Sequence, residues 1–189
     1  MRKTNVKNLD KMFIERWSPR AFKADPIPEG DIKAMFEAAR WAPSCFNEQP
    51  WVFTYAITKA DLERYKTVMV EFNQLWASTA PMLVLVFTRK RFETNNKPND
   101  WAEFDAGSAW MSLCFQAEKL GYRCHAMAGF DPDKALEVTG LDKNDVKPMC
   151  VIAIGKEGDK KILPKDIQEK EVQSDRKPLD NIVFKGKVS

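Results

Sequence analysis

Residues 82–87 read Met-Leu-Val-Leu-Val-Phe, a run in which every side chain is apolar. A strand with one face in water alternates apolar and polar residues, whereas a strand buried on both faces is apolar throughout. The run therefore predicts the central strand of a sheet. Residues 51–57, rich in β-branched and aromatic side chains, and residues 149–155, which follow Pro148, predict two further strands.

Apolar residues at helical spacing fill most of the chain between these strands. They predict helices over residues 9–17, 28–41, 59–76, 101–120 and 131–140. Residues 123–130 form either a short strand or an irregular segment. The sequence contains no internal repeat, and the predicted fold class is α+β, with one central sheet flanked by helices.

Two segments suggest contacts beyond a single small core. Residues 106–117, in the middle of the longest predicted helix, are apolar on almost every side, which indicates burial in the core of the domain or in a dimer interface. Residues 156–189 are polar and rich in Lys, so they are either a loose terminus or an arm that docks on another surface. The predicted organisation is a core of residues 1–155 and an arm of residues 156–189 within the same domain.

The composition disfavours several classes of protein. With 44% hydrophobic residues the 189-residue chain can bury a sizeable core, and its formal charge of +3 is too small to predict a nucleic-acid partner. No apolar run approaches the roughly 18 residues of a membrane span, and the N-terminus lacks the apolar stretch of a secretory signal. The four cysteines (Cys45, Cys114, Cys124 and Cys150) are far apart, which predicts reduced thiols in a cytoplasmic protein.

The single histidine, His125, restricts the chemistry further. A Ser-His-Asp or Cys-His enzyme would have to use this residue as its base, and a zinc site with two or three histidines is impossible. We therefore expect no metal site, and an enzyme with this sequence would rely on a cofactor for the difficult step. The sequence has no Gly-x-Gly-x-x-Gly and no Gly-x-x-x-x-Gly-Lys motif, which disfavours a Rossmann NAD site and a P-loop.

Three segments could bind a ligand. Residues 16–20, Arg-Trp-Ser-Pro-Arg, hold two guanidinium groups and a hydroxyl that could converge on a phosphate, although a solvated basic turn is the alternative. Residues 42–51, Ala-Pro-Ser-Cys-Phe-Asn-Glu-Gln-Pro-Trp, could present neutral donors and acceptors to a planar heterocycle or form an ordinary helix-to-strand connection. In residues 126–130, Gly129 permits close approach of a ligand to the backbone but equally suits a turn.

In this order along the chain, the segments resemble the FMN-dependent nitroreductase family. Its members share an Arg-x-Ser-x-Arg/Lys motif followed by Phe, matched here by Arg16, Ser18, Arg20 and Phe22, and a Pro-Ser-x-x-Asn-x-Gln-Pro-Trp loop, intact at residues 43–51. Weaker similarities follow in the family's order: a helix with a closing Leu-Gly at 105–121, a Gly-Phe-Asp step at 129–131 and an Arg-x-Pro-Leu at 176–179.

The resemblance implies an α+β nitroreductase-like sandwich whose central, mainly antiparallel sheet is flanked by helices. It further implies an intertwined homodimer with two FMN sites at the subunit interface, and an arm that docks on the partner subunit. The residues implied at the FMN phosphate are Arg16, Ser18, Arg20 and Arg176. Those implied at the flavin ring and ribityl chain are Trp17 through its backbone, Asn73, Met127, Ala128 and Gly129, joined by Pro43, Ser44, Cys45 and Asn47 from the other subunit.

The activity implied is electron transfer from NADH or NADPH through FMN to a nitroaromatic, a quinone or another small organic acceptor, in a ping-pong sequence. No side chain is predicted to be catalytic. The alternative from another class is a flavin-binding redox sensor or carrier without turnover. A hydrolase with Cys45 as its nucleophile is a third reading, disfavoured because His125 is some eighty residues away in the sequence.

Overall fold

The computed structural model describes residue 2 and residues 4–188. Four strands form one antiparallel sheet in the order β1-β2-β4-β3. The strands are β1 Trp51–Ala56, β2 Met82–Arg89, β3 Arg123–Met127 and β4 Val146–Gly155. The α-helices are α1 Met12–Glu15, α2 Glu29–Arg40, α3 Lys59–Lys66, α4 Glu71–Ala77, α5 Ala102–Lys119, α6 Pro132–Thr139 and α7 Lys165–Gln168.

Strand β2 lies inside the sheet, between β1 and β4, as its apolar sequence predicts. Its side chains alternate between two separate apolar clusters. Leu83, Leu85 and Phe87 belong to the cluster that includes residues of α3, α4, α6 and α7. Met82, Val84 and Val86 belong to the cluster that includes residues of α2 and α5. Helices therefore cover both faces of the sheet, and the predicted α+β sandwich is confirmed.

Three predicted elements have different bounds in the structure. Helix α1 is a single turn without buried residues, so no packing extends it towards the predicted range of 9–17. The predicted helix over residues 59–76 is divided into α3 and α4, because Met69 pairs with Phe130 in an isolated β-bridge between them. Strand β4 begins before Pro148, which is accommodated at a register shift opposite Val86 and Phe87.

Helix α5 is buried along one face. Ala109, Leu113 and Ala117 are fully buried in the cluster between the sheet and α2, whereas Phe104 is 74% exposed. Residues 106–117 of this helix are apolar on almost every side, and a single chain covers only part of this apolar surface. The exposed face therefore carries apolar surface that a monomer leaves in water. No helix among the described residues is long and apolar enough to cross a bilayer.

The segment after residue 155 divides into two parts. Residues 156–171 pack on their own chain: Lys156 accepts a backbone hydrogen bond from Lys23, and Leu163 and Ile167 are buried in the cluster with the sheet. From residue 172 to residue 188 every residue is exposed. The chain therefore leaves its own core at about residue 172, later than the predicted boundary at residue 156. Docking of the arm on a partner stays a prediction and concerns this exposed part.

Candidate functional site

Residues 16–21 are fixed by groups from distant parts of the chain. The carboxylate of Glu171 accepts hydrogen bonds from the backbone N–H groups of Arg20 and Ala21, at 2.6 and 3.0 Å. On the other side, Nδ1 of His125 lies 2.9 Å from the carbonyl oxygen of Pro19. Since a carbonyl oxygen only accepts, Nδ1 carries the proton in this contact. The backbone of this segment is thus held from two sides.

The side chains of the segment face different partners. Arg16 donates from Nη1 to Oγ of Ser18 at 3.3 Å, so the first two members of the Arg-x-Ser-x-Arg motif are in contact. The indole N–H of Trp17 donates to Glu157 at 3.3 Å, and this side chain is buried. The buried side chain leaves the backbone of Trp17 for ligand binding, and that role stays a prediction.

Arg2 lies close to both Arg16 and Arg176, and it shares the carbonyl oxygen of Ser174 with Arg176 as an acceptor. Arg2 donates to the carbonyl oxygens of Arg16 at 2.7 Å and of Ser174 at 2.6 Å, and so ties the N-terminal segment to the exposed C-terminal part. Burial and the charges of Arg176 and Arg16 lower the pKa of Arg2, against the opposite effect of Asp175. Two of the predicted phosphate residues, Arg16 and Arg176, thus lie near a third arginine. Such crowding of like charges favours a bound anion.

His125 on β3 contacts both the segment of residues 16–21 and helix α4. Its ring packs on Trp76 with the ring centroids 4.5 Å apart. Burial lowers the pKa of His125, the hydrogen bond to Pro19 raises it, and the charges of Arg20 and Arg16 lower it further. The balance lowers the pKa, so the imidazole is neutral near pH 7.

The end of β3 is joined to α4. Asn73 donates from Nδ2 to the carbonyl oxygen of Gly129 at 2.8 Å, and the backbone N–H of Val70 donates to the same oxygen at 3.1 Å. A Cβ atom on residue 129 would lie 2.7 Å from Nδ2 of Asn73 and 2.9 Å from Cγ2 of Val70. A side chain at residue 129 would therefore displace Asn73 or Val70, and the close contact of α4 with Gly129 fixes the backbone edge of Met127, Ala128 and Gly129.

The loop of residues 43–49 is locally strained. Phe46, Asn47 and Gln49 all have positive φ angles, of 51°, 59° and 50°, which are uncommon for residues other than glycine. The conformation is held by hydrogen bonds to Ser44: Gln49 donates to its Oγ at 2.9 Å and Asn47 to its carbonyl oxygen at 3.0 Å. A strained loop that its surroundings hold in place is typical of a functional site.

Asp105 anchors this loop to helix α5. Its carboxylate, on a residue that is 3% exposed, accepts a hydrogen bond from the backbone N–H of Cys45 at 3.0 Å. Beside this contact, Pro43, Ser44 and Cys45 line a shallow depression together with Trp101, Phe104 and Ser108. Phe46 is 90% exposed and Trp101 is 57% exposed, so the loop is surrounded by aromatic surface.

The predicted site residues form two separate groups in one chain. Arg16 lies near Glu118, whose pKa is raised by burial and lowered in part by the charges of Arg123 and Arg16. The loop of residues 43–49 lies instead against Asp105. These two positions on α5 are 13 residues apart, which corresponds to about 20 Å along a helix. One chain therefore brings Arg16, Ser18 and Arg20 near β3, while residues 43–47 lie towards the opposite end of α5.

Comparison with known proteins shows the family to which the chain belongs. The model of the Nitroreductase family matches residues 14–74 and 64–156, which is most of the chain. The chain belongs to the nitroreductase family. Among solved structures, this nitroreductase-family chain resembles one described as an oxidoreductase containing FMN, with 38% identity, a TM-score of 0.94 and coverage of 100% of this chain and 96% of that one.

Curated relatives of this family member include two reductases. A CLA biosynthesis enone reductase from Lactiplantibacillus plantarum is 28% identical, over 80% of this chain and 88% of the relative. An oxygen-insensitive NADPH nitroreductase from Helicobacter acinonychis is 24% identical, over 82% of this chain and 90% of the relative. The family and the fold predicted from the motifs are thus confirmed, while the roles of the individual site residues stay predictions.

The motifs did not predict the groups that hold the site together. Arg2, Glu171 and the contact of His125 with Pro19 were missed, because their partners lie 12 to 172 residues away in the sequence. Asp105 is different: it begins the segment of residues 105–121 that resembles the family, and a carboxylate next to the apolar run of residues 106–117 was a signal that it has a partner.

Proposed function

We propose that this protein is an FMN-dependent NAD(P)H oxidoreductase. In the proposed reaction, a nitroaromatic, a quinone or another small organic compound accepts the electrons in a ping-pong sequence. The observation that carries the proposal is a chain of arginine contacts: Arg2 and Arg176 both donate to the carbonyl oxygen of Ser174, Arg2 also donates to the backbone of Arg16, and Arg16 donates to Ser18. Similar solved structures include an oxidoreductase that contains FMN. Guanidinium and hydroxyl groups are the donors that a phosphate monoester requires.

The residues present fit FMN at its phosphate end. The charges of Arg16 and Arg176 disfavour the protonated form of Arg2, and a phosphate dianion would relieve this repulsion. We assign Arg16, Ser18, Arg20 and Arg176 to the phosphate, and we add Arg2 because it ties the two segments together.

The part of the proposed site that would contact the flavin ring consists mainly of backbone groups. When bound, FMN supplies reversible transfer of a hydride between a nicotinamide donor and an organic acceptor. Met127, Ala128 and Gly129, at the end of β3 and just after it, would present their backbone edge to the ring. Asn73 holds that edge through one of its two amide N–H groups, which leaves its other polar atoms for a direct contact.

No side chain of this set needs to act as an acid or a base. His125 is the histidine that could act as a base. However, its Nδ1–H group donates to the carbonyl oxygen of Pro19, and its ring packs against Trp76. Its proposed role is to hold the backbone of residue 19, and thereby the phosphate-binding segment. Protons would come from solvent.

The proposed assembly is an intertwined homodimer with the site shared between subunits. It is supported by the separation of about 20 Å between the two groups of site residues along α5. In a two-fold pair, the loop with Pro43, Ser44, Cys45 and Asn47 would complete the site on the other chain. The exposed face of α5, which includes Phe104, would be covered at the same time.

Further proposals concern the order of binding and the cell compartment. The donor and the acceptor would use the same site in turn, because the sequence has no separate dinucleotide-binding motif. The four cysteines are free thiols in the structure, and two of them, Cys114 and Cys124, are buried. Free thiols suit the cytoplasm, which is the location we propose.

Steady-state kinetics of the purified protein with added FMN test the activity. NADH and NADPH are each offered with a nitroaromatic compound and with a quinone, and we expect oxidation of at least one donor. Parallel lines in double-reciprocal plots would support the ping-pong sequence. Bound FMN without turnover of either donor would favour a flavin-binding redox sensor or carrier, and failure to bind FMN would contradict both.

A further inference from the structure

We propose that Glu171 is a positioning residue for the phosphate of FMN. Its carboxylate would fix the backbone at Arg20 and Ala21 and hold the Arg20 guanidinium towards the ligand. This inference rests on the proposed function, and it assigns a role at the phosphate site to a residue outside the Arg-x-Ser-x-Arg motif.

The contacts of Glu171 are concentrated on this one segment. Oε1 accepts both backbone hydrogen bonds, from Arg20 at 2.6 Å and from Ala21 at 3.0 Å. Oε2 lies 3.4 Å from Nη1 of Arg20. The side chain of Glu171 is 3% exposed and that of Arg20 is 25% exposed. A buried carboxylate therefore takes all its observed hydrogen bonds from residues 20 and 21.

The chain holds Glu171 firmly at this place. Ile167, four residues earlier, is fully buried in the cluster with the sheet, and Leu163 is 4% exposed. The carbonyl oxygen of Lys170 accepts a further contact from Nη1 of Arg20 at 3.4 Å. One nitrogen of the Arg20 guanidinium is thus directed to the C-terminal segment. Among the described residues, its other two nitrogens have no hydrogen-bond partner and could donate to a phosphate.

Two effects of Glu171 on a phosphate oppose each other. Its negative charge repels a dianion, whereas its hydrogen bonds order the residue that binds the dianion. The two short bonds go to backbone N–H groups, and the longer contact with the guanidinium engages only Nη1, so the other two nitrogens of Arg20 keep their N–H donors for a phosphate. We expect ordering to dominate, because an unfixed arginine loses side-chain and backbone entropy when it binds.

The first test compares FMN with riboflavin, which has the same ring and ribityl chain but no phosphate. In Glu171→Ala we expect the affinity for FMN to fall about tenfold and that for riboflavin to stay within about twofold. Glu171→Gln keeps Oε1 for both backbone N–H groups, so it should bind FMN within about threefold of the wild-type protein. Glu169→Ala removes an exposed carboxylate two residues away and serves as the matched control.

Several outcomes would overturn this inference. An equal loss for FMN and riboflavin in Glu171→Ala would indicate general damage to the fold, and unchanged or tighter FMN binding would mean that repulsion dominates. A Glu171→Gln variant as weak as Glu171→Ala would exclude the backbone contacts as the cause. If the wild-type protein itself bound no FMN, the proposed function would fail first, so the two failures are distinguishable.

If riboflavin binds too weakly to measure, a double-mutant cycle with Arg20→Ala tests the same positioning role through FMN binding alone. If Glu171 acts through the Arg20 side chain, Glu171→Ala should weaken FMN binding in the wild-type background and have little further effect in the Arg20→Ala background. Additive losses in the double variant would contradict the positioning role. Thermal unfolding of each variant, without FMN, shows whether the fold is retained.

Discussion

Arg20 is the residue on which the local sequence and the distant contacts meet. The Arg-x-Ser-x-Arg spacing predicted a phosphate ligand from five neighbouring residues. The structure adds Glu171, which contacts Arg20, and His125, which contacts Pro19; both lie more than 100 residues away in the sequence. Local spacing can indicate which donors a ligand meets, but groups so far apart in sequence become neighbours only through the fold.

Replacement of Arg20 tests its contribution to binding. Arg20→Ala removes a charge-assisted hydrogen bond to the phosphate, so we expect the affinity for FMN to fall by about 1.5–3 kcal/mol, or roughly tenfold to a hundredfold. Fluorescence titration of the FMN-free protein measures this change. Lys23→Ala removes a nearby exposed cation and is the control. An unchanged affinity in Arg20→Ala would refute the assignment.

The lowered pKa of His125 predicts a pH dependence of stability. Burial, first of all, lowers its pKa below the ordinary value of about 6.5. Between the lowered and the ordinary value the unfolded chain binds more protons than the folded one, so stability should decrease as pH falls from about 7 through this range. His125→Asn keeps an N–H group for Pro19 and does not titrate. Urea unfolding between about pH 5 and pH 7.5 should therefore show a smaller pH effect in the variant, and identical pH profiles would contradict this account.

At the scale of elements, the loop of residues 43–49 and helix α5 depend on each other. The sequence predicted a helix over residues 101–120 and a loop bounded by prolines, and both are present. The positive φ angles at Phe46, Asn47 and Gln49 could not be predicted, because none of these residues is a glycine. The division of the helix predicted over residues 59–76 was also missed. Its cause is the pairing of Met69 with Phe130, and a local sequence pattern does not indicate a partner so far away in the chain.

Removal of the Asp105 carboxylate tests the anchor of this loop. Asp105→Ala leaves the backbone N–H of Cys45 without its partner, so we expect the free energy of unfolding to fall by about 1–3 kcal/mol. Asp105→Asn retains an acceptor oxygen and should lose less. Urea unfolding measures both, and Glu103→Ala, which removes an exposed carboxylate from the same helix, should change stability by less than about 1 kcal/mol. Equal stability of Asp105→Ala and the wild-type protein would exclude the anchor.

At the scale of the whole molecule, apolar surface is left open in one chain. Phe104, Trp101 and Phe46 are 74%, 57% and 90% exposed, and residues 172–188 have no buried member. The sequence predicted an unusually apolar helix and a polar arm. The structure contains the helix as α5 and an exposed polar segment at residues 172–188. The sequence did not predict that residues 156–171 would pack on their own chain, because the apolar residues of this polar segment, among them Leu163 and Ile167, are few and form no periodic pattern.

Two truncations separate the parts of the C-terminal segment. Ending the chain after Glu171 removes the exposed part with Arg176, so we expect a folded protein with weaker FMN binding and a less stable dimer. Ending it after Pro164 also removes the fully buried Ile167, which should cost about 2–5 kcal/mol of stability in addition. Light scattering, FMN titration and thermal unfolding report the three quantities. Unchanged dimer stability and FMN affinity after the shorter truncation would contradict a docking arm.

Native mass spectrometry of the purified protein in the presence of FMN shows whether the flavin lies between two chains. In the proposed dimer each FMN lies between residues 16–20 of one chain and residues 43–47 of another, so binding and association are linked. We expect a species of two chains and two FMN molecules, with little flavin on separated chains. A folded single chain that carries one FMN, or a dimer that binds none, would contradict the shared site.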